Sequence, residues 1–159
     1  MRPGARVGGG RRVTAARIIS TADPALAREA PAPVDVVLRT DLAAPARARR
    51  LVREVDDCCL PPSRMNDVLV AVSEAVTNAV LHAYPDAVEG PVRIKAWSQD
   101  NALAVLVLDE GRGFDPDEVV RGARTGLGLG LDLMRRLASE TSIVAHPGAG
   151  AAVLLIFRP

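Results

Sequence analysis

Long apolar runs, separated cysteines and a lopsided charge are all missing from this chain, and each absence closes off a class of protein. No stretch approaches the roughly 18–20 apolar residues of a membrane-spanning helix, so no membrane partner is expected. The N-terminus holds arginines but lacks the apolar core of a secretory signal. The two cysteines, Cys58 and Cys59, are neighbours. A disulfide framework needs separated partners and a bridge between adjacent residues is strained, so both read as reduced thiols and the compartment as cytoplasmic. A net charge of +1 gives the chain no electrostatic pull toward polyanions, so no direct nucleic-acid contact is expected. Lysine is nearly absent: of 20 basic residues only Lys95 is one, which reads as coding bias rather than chemistry.

What is present is the composition of one soluble globular domain: 159 residues, 48% hydrophobic and 25% charged. The near-neutral charge conceals a split. Residues 1–33 carry six arginines against Asp23 and Glu29, a balance of +4 that leaves −3 for the rest. That first segment is rich in Gly, Arg, Ala and Pro without sustained periodicity, and reads as a disordered tail. Residues 34–159 read as the folded domain.

Within the domain, "VDVVLRT" (34–40) has strand composition, and "APARARRLVREVDDC" (44–58) is a helix with Pro45 in its first turn. "LPPS" interrupts the chain, and Ser63 is placed as the N-cap of a long helix running to Tyr84, where Pro85 stops it. Two strands, "PVRIKAWSQ" and "ALAVLVLD", flank the turn-like pair Asp100–Asn101. A Gly/Asp-rich loop precedes a helix over 128–138, and "TSIVAH" and "AAVLLIFR" form a closing hairpin around "PGAG". The order β-α-α-β-β-α-β-β implies an α+β protein, with helices stacked on one face of a mixed, mostly antiparallel sheet.

The long helix is divided unusually. At 100° per residue, Met65, Val68, Leu69, Val72, Ala75, Val76, Ala79, Val80 and Ala83 share one arc, while Asn66, Asp67, Ser73, Glu74, Thr77, Asn78 and His82 share the other. A solvated face accounts for such a stripe. In an arginine-rich chain, however, that face should carry arginine, and none occurs between Arg64 and Arg93. Ser, Thr and Asn are weak helix formers, so short polar groups there also suit something that approaches closely.

Two loops weigh on the choice. After a buried-looking strand ending at Asp109 comes "DEGRG", where Gly111 and Gly113 permit a sharp turn or a close ligand. Further on, "TGLGLGLDLM" opens a helix with Gly126, Gly128 and Gly130, presenting backbone N–H groups at the positive end of the helix dipole. A dinucleotide fingerprint would follow a strand within a βαβ unit, and a P-loop would need a lysine, of which there is none after residue 95.

"EAVTNAVLHAY", "DEGRG" and "GLGLGL", in that order, resemble the N, G1 and G2 boxes of the GHKL ATP-binding superfamily, which includes gyrase B, MutL and the histidine kinases. The run "SEAVTNAVLHAY" is most similar to the small anti-sigma-factor serine/threonine kinases. The resemblance covers about Val34 to Arg158 and implies a two-layer α/β sandwich of the Bergerat ATP-binding type. It implies ATP and Mg²⁺ as cofactors, with Asn78 as the metal ligand through its amide oxygen. Glu74, one turn earlier, would be the general base taking the proton of an attacking hydroxyl. Asp109 would accept from the adenine amino group, and Gly111 and Gly113 would let adenine lie against the loop. Thr125, Gly126, Leu127, Gly128, Leu129 and Gly130 would cradle the phosphates. His82 fits either nucleotide contact or helix-end packing. Arg121 and Arg124, in a short lid segment, fit either a solvated loop or phosphate-facing cations.

One departure is visible: where the family's last strand begins Gly-Thr, this chain has Gly150, Ala151 and Ala152, which lack the threonine hydroxyl of one expected adenine contact. The resemblance implies a sigma factor and a STAS-domain antagonist as partners, phosphorylation of the latter, and a homodimer. A non-catalytic ATP-responsive binding module remains the alternative. A detached histidine-kinase ATPase half fits less well, because the chain lacks room for a phosphoacceptor helical hairpin.

Overall fold

A computed structural model describes residues 22–55, 60–84, 89–114 and 127–159. The elements are α1 (Pro24–Glu29), β1 (Val34–Arg39), α2 (Ala44–Arg53), α3 (Pro62–Asn78), a π-helical turn (Ala79–Ala83), β2 (Pro91–Gln99), β3 (Ala102–Asp109), α4 (Leu127–Leu137), β4 (Glu140–Ala145) and β5 (Ala151–Phe157). The cysteines lie outside the described residues, as do Arg121, Arg124, Thr125 and Gly126.

The five strands form one sheet in the order β1-β2-β3-β5-β4. The α+β expectation holds, but its mixed sheet does not. Every described ladder is antiparallel, so the sheet is not mixed. Side chains alternate as strand geometry demands. Val92, Ile94 and Ala96 of β2 face the helices, whereas Arg93, Lys95 and Trp97 face the other side. Asp100 and Asn101, with φ of 50° and 61°, make the two-residue hairpin between β2 and β3.

The helix layer is α2, α3 and α4, with α3 packed between the other two. Val68, Val72, Ala75, Val76 and Ala79 meet Ile94, Val105, Leu155 and Phe157 in one core. Arg64 clasps the end remote from the π turn: its guanidinium donates to the Leu137 and Arg158 carbonyls at 3.0 and 3.1 Å. Ser63 is not the N-cap; Pro61 caps and Pro62 opens the helix. Proline suits that first position because its missing N–H would have had no partner. The α2 helix ends at Arg53, earlier than its composition suggests.

The larger correction concerns the tail. Residues 24–29 are helical: Asp23 caps them by accepting from the Ala25 N–H at 2.8 Å, and Pro24 opens the turn. Ala27 and Ala30 are buried on the back of the sheet against Trp97, Ala104, Leu106, Leu154 and Ile156. Helices therefore occupy both faces, and β3 and β5 are buried along nearly their whole length. Lys95 holds α1 in place. The residue is 2% exposed, and its ammonium donates to the Arg28 and Ala30 carbonyls at 2.7 and 2.6 Å. These are the acceptors that a helix end leaves open. Burial pushes the Lys95 pKa down, opposed by Asp35 at 3.8 Å. Among the described residues no helix is long and apolar enough to cross a membrane.

Candidate functional site

The polar stripe of α3 separates into two uses. Ser73 is spoken for within the fold: its hydroxyl donates to the Leu69 carbonyl at 2.7 Å and accepts from Arg49 of α2 at 2.8 Å. Asp67 pairs with Arg64 at 2.7 Å. Asn78 and His82 instead line a cavity of about 250 Å³, and Glu74 stands beside Asn78 on the side facing α4.

Asn78 is the last α-helical residue before the backbone widens into the π turn over Ala79–Ala83. A π turn is a rare departure from the α-helix that recurs at functional sites. His82 at this turn lines the cavity, and the His82 and Ala83 carbonyls at the helix end accept from Arg112.

The cavity walls are mainly apolar: Ala75, Ala79 and Ala83 from the helix, Val107 and Val153 from the sheet, and Leu131 from α4. The polar contributions come from Asn78, His82, Asp109 and Arg112. Asp109 ends β3 opposite Ala151 in the ladder. Its carboxylate accepts from the Gly111 N–H at 3.0 Å. Burial pushes its pKa above the ordinary carboxylate range, opposed by the nearby Gly111 and Ala151 N–H groups. Burial lowers the His82 pKa, and the nearby Arg112 charge lowers it further. Both effects favour the neutral imidazole. Ala151 also lines the cavity, so the place next to Asp109 offers a methyl group and no hydroxyl.

The glycines of "DEGRG" have neighbours that their spacing did not indicate. A side chain at Gly111 would strike the Ala83 carbonyl, and one at Gly113, where φ is +61°, would strike the His146 carbonyl. Their lack of a Cβ thus lets the loop press onto two other backbone segments. Gly113 also borders the cavity. Tyr84 adds a further tie, donating from its hydroxyl to the Pro91 carbonyl at 2.7 Å and accepting from the Glu110 N–H at 3.1 Å.

The glycine-rich segment is described from Leu127 onward, with the Leu127 side chain outside the described residues. Gly130 is buried, and a Cβ there would lie 3.1 Å from Glu74 Oε2. Gly128 is half-buried, while Leu129 is 78% exposed, so its side chain turns away from the site. Leu131 is the leucine of that run which lines the cavity. Arg112, Phe114, Val107 and Leu131 are lining residues that the motifs did not single out. Of these, only Arg112 carried a sequence signal, as a charged residue between two glycines. Among the described residues no group of three or more His, Cys, Asp or Glu is placed to hold a metal. Asn78 offers an amide oxygen on the cavity wall.

Comparison with known proteins shows the family. The family model described as histidine kinase-like ATPase domain matches residues 38–157. An anti-sigma F factor of Caldanaerobacter subterraneus subsp. tengcongensis is 34% identical over 94 residues, covering 55% of this chain and 65% of that protein. The serine-protein kinase RsbW of Bacillus subtilis is 38% identical over 101 residues, covering 56% of this chain and 62% of the relative. The matches therefore span somewhat less than two thirds of these relatives' own lengths. A histidine kinase domain from the blue-light activated histidine kinase of Erythrobacter litoralis superimposes with a TM-score of 0.52. It is 23% identical and covers 72% of this chain and 59% of that one, a likeness of fold.

Proposed function

The chain belongs to the family of histidine kinase-like ATPase domains, and on that premise we propose that it is an Mg-ATP-dependent serine/threonine protein kinase acting as an anti-sigma factor. In this reading residues 34–159 are the ATP-binding domain. The partners are a sigma factor, which it sequesters, and a STAS-domain antagonist, which it phosphorylates in the cytoplasm. Proteins named for both activities are among its relatives.

The observation that carries the reading is the approach of α4 to α3. Gly130 brings the start of α4 against both Glu74 and Asn78, so a helix N-terminus, a carboxylate and an amide converge at one end of an apolar cavity. Backbone N–H groups at a helix start favour anions. The other end holds Asp109, a half-buried acceptor surrounded by alanines and valines. A flat ring bearing an amino group fits such a pocket, which is the chemistry of adenine.

When bound, ATP would supply the transferable phosphoryl group, and Mg²⁺ would offset its charge. Asn78 would hold the metal through its hard amide oxygen, leaving phosphate oxygens and water to complete the coordination. Glu74 would take the proton from the attacking hydroxyl. The Gly128 and Gly130 backbone would position the phosphates, and His82 and Phe114 would wall the cavity. Catalysis of this kind depends mainly on positioning and charge neutralisation.

Ala151 favours a second reading, an ATP-responsive binding module that sequesters its partner without phosphorylating it. The methyl group supplies no further hydrogen-bonding group beside Asp109. Incubation with Mg-ATP and a STAS-domain antagonist separates the two readings. Phosphate on a serine or threonine of the antagonist is the expected result. Binding of ATP with no transfer would replace the kinase by the module.

A further inference from the structure

We propose that Arg112 is a positioning residue of this cavity, tying the loop after β3 to the end of the π turn and so fixing His82 and Asp109 relative to one another. The inference rests on the nucleotide-binding reading above and adds to it a residue outside the three recognised motif roles.

Three bonds converge on Arg112. Its Nε donates to the His82 carbonyl at 2.7 Å, and its backbone N–H donates to the Ala83 carbonyl at 2.7 Å. Its own carbonyl accepts from the Gly148 N–H at 2.6 Å. A helix end leaves its last carbonyls without intrahelical donors. Both terminal carbonyls of the π turn thus find their donor in the same residue. The flanking glycines make this possible, since a Cβ at Gly111 or Gly113 would collide with the Ala83 or His146 carbonyl. In "GRG" the glycines permit the approach and the arginine fastens it. Residues 82–83, 111–113 and 146–148 are joined there, although they are distant in sequence.

The side chain matters beyond its hydrogen bond. Arg112 lines the cavity beside His82, and its positive charge disfavours a second positive charge on the imidazole. A neutral imidazole keeps an acceptor nitrogen that the protonated ring lacks. A lysine would restore the charge, but its ammonium does not reproduce the directed Nε–H of a planar guanidinium.

The test compares Arg112→Ala and Arg112→Lys in the full chain. Calorimetry reads Mg-ATP affinity, and NMR titration reads the His82 imidazole, with His82→Gln separating its signal from that of His146. Arg112→Ala should weaken Mg-ATP binding by about tenfold or more and raise the His82 pKa. Arg112→Lys should keep that pKa low while recovering only part of the affinity. Unchanged affinity in Arg112→Ala would overturn the proposal, as would weakened affinity with an unmoved His82 pKa. Should Arg112→Ala fail to fold, full wild-type affinity in Arg112→Lys would overturn it instead. If the wild-type chain binds no Mg-ATP, the nucleotide reading fails. The His82 titration then still decides whether Arg112 governs the imidazole.

Discussion

Gly130 lies directly against the carboxylate of Glu74. A Cβ at Gly130 would stand 3.1 Å from Glu74 Oε2 and 3.4 Å from either terminal atom of the Asn78 amide. Alanine is favoured over glycine within a helix by about 1 kcal/mol, so Gly130→Ala should leave thermal stability unchanged or raised. The added methyl nevertheless displaces the carboxylate by a few tenths of an ångström, and positional errors of that kind are costly to catalysis. Phosphoryl transfer should fall by on the order of tenfold. Melting curves paired with a transfer assay check this. Full transfer activity in the variant would show that the glycine serves packing alone.

Asn78 and Glu74 should separate binding from chemistry. Asn78→Ala removes the amide oxygen proposed to hold Mg²⁺ and is expected to abolish Mg-ATP binding. Glu74→Ala should bind Mg-ATP but transfer phosphate slower by about 10²–10⁴. Calorimetry and a radiolabel transfer assay read the two effects. Unchanged nucleotide affinity in Asn78→Ala would remove that residue from the site.

Asp109 predicts a pH dependence. Burial raises its folded-state pKa above the ordinary 3.8, with the Gly111 and Ala151 N–H groups opposing the shift. Between 3.8 and that raised value the folded chain holds a proton that the unfolded chain has released. The Asp109 contribution to stability therefore declines as pH rises through this window. Ligand binding runs the other way, because only the ionised carboxylate is purely an acceptor. On acidification, adenine-nucleotide affinity should weaken while the pH is still above 3.8. Asp109→Asn should bind weakly with that pH dependence lost. An affinity flat from neutral pH down to 3.8 in the wild type would contradict the assignment.

Lys95 should control α1 and little else. Lys95→Met relieves the burial of an ammonium but leaves the Arg28 and Ala30 carbonyls without a donor. An unsatisfied buried acceptor costs about 1–3 kcal/mol. Local opening of α1 lets water satisfy both carbonyls, so the loss should fall on α1 rather than on the whole domain. Hydrogen exchange should quicken for the amides of residues 25–30, with Mg-ATP affinity retained. Exchange at the wild-type rate would show that apolar packing of Ala27 and Ala30 holds the helix unaided.

The strands, the three long helices and the three motifs were legible because their signals are local, whereas α1 was not. Alternation in "VRIKAW" identifies a strand whatever lies above it, and the 3.6-residue period of Val68, Val72, Ala75, Val76 and Ala79 identifies a buried helix face. Asn78, His82, Asp109 and Gly113 meet at one cavity, with Glu74 and Gly130 adjoining it. The polar stripe was less readable. Ser73 looked equivalent to Glu74 until Arg49, 24 residues away, was found to occupy its hydroxyl.

The sequence by itself determined where elements form and which of their faces are apolar, since both depend on neighbours within a few residues. Tertiary structure decided which surfaces meet. It placed α1 behind the sheet through Lys95, some 65 residues distant from Ala30. It turned the helix end into a π turn whose carbonyls Arg112 satisfies. It also gave Gly111 and Gly113 backbone neighbours where spacing alone allowed either a sharp turn or a close ligand. Such choices follow from the pairing of buried polar groups across the fold, a constraint that no local window contains.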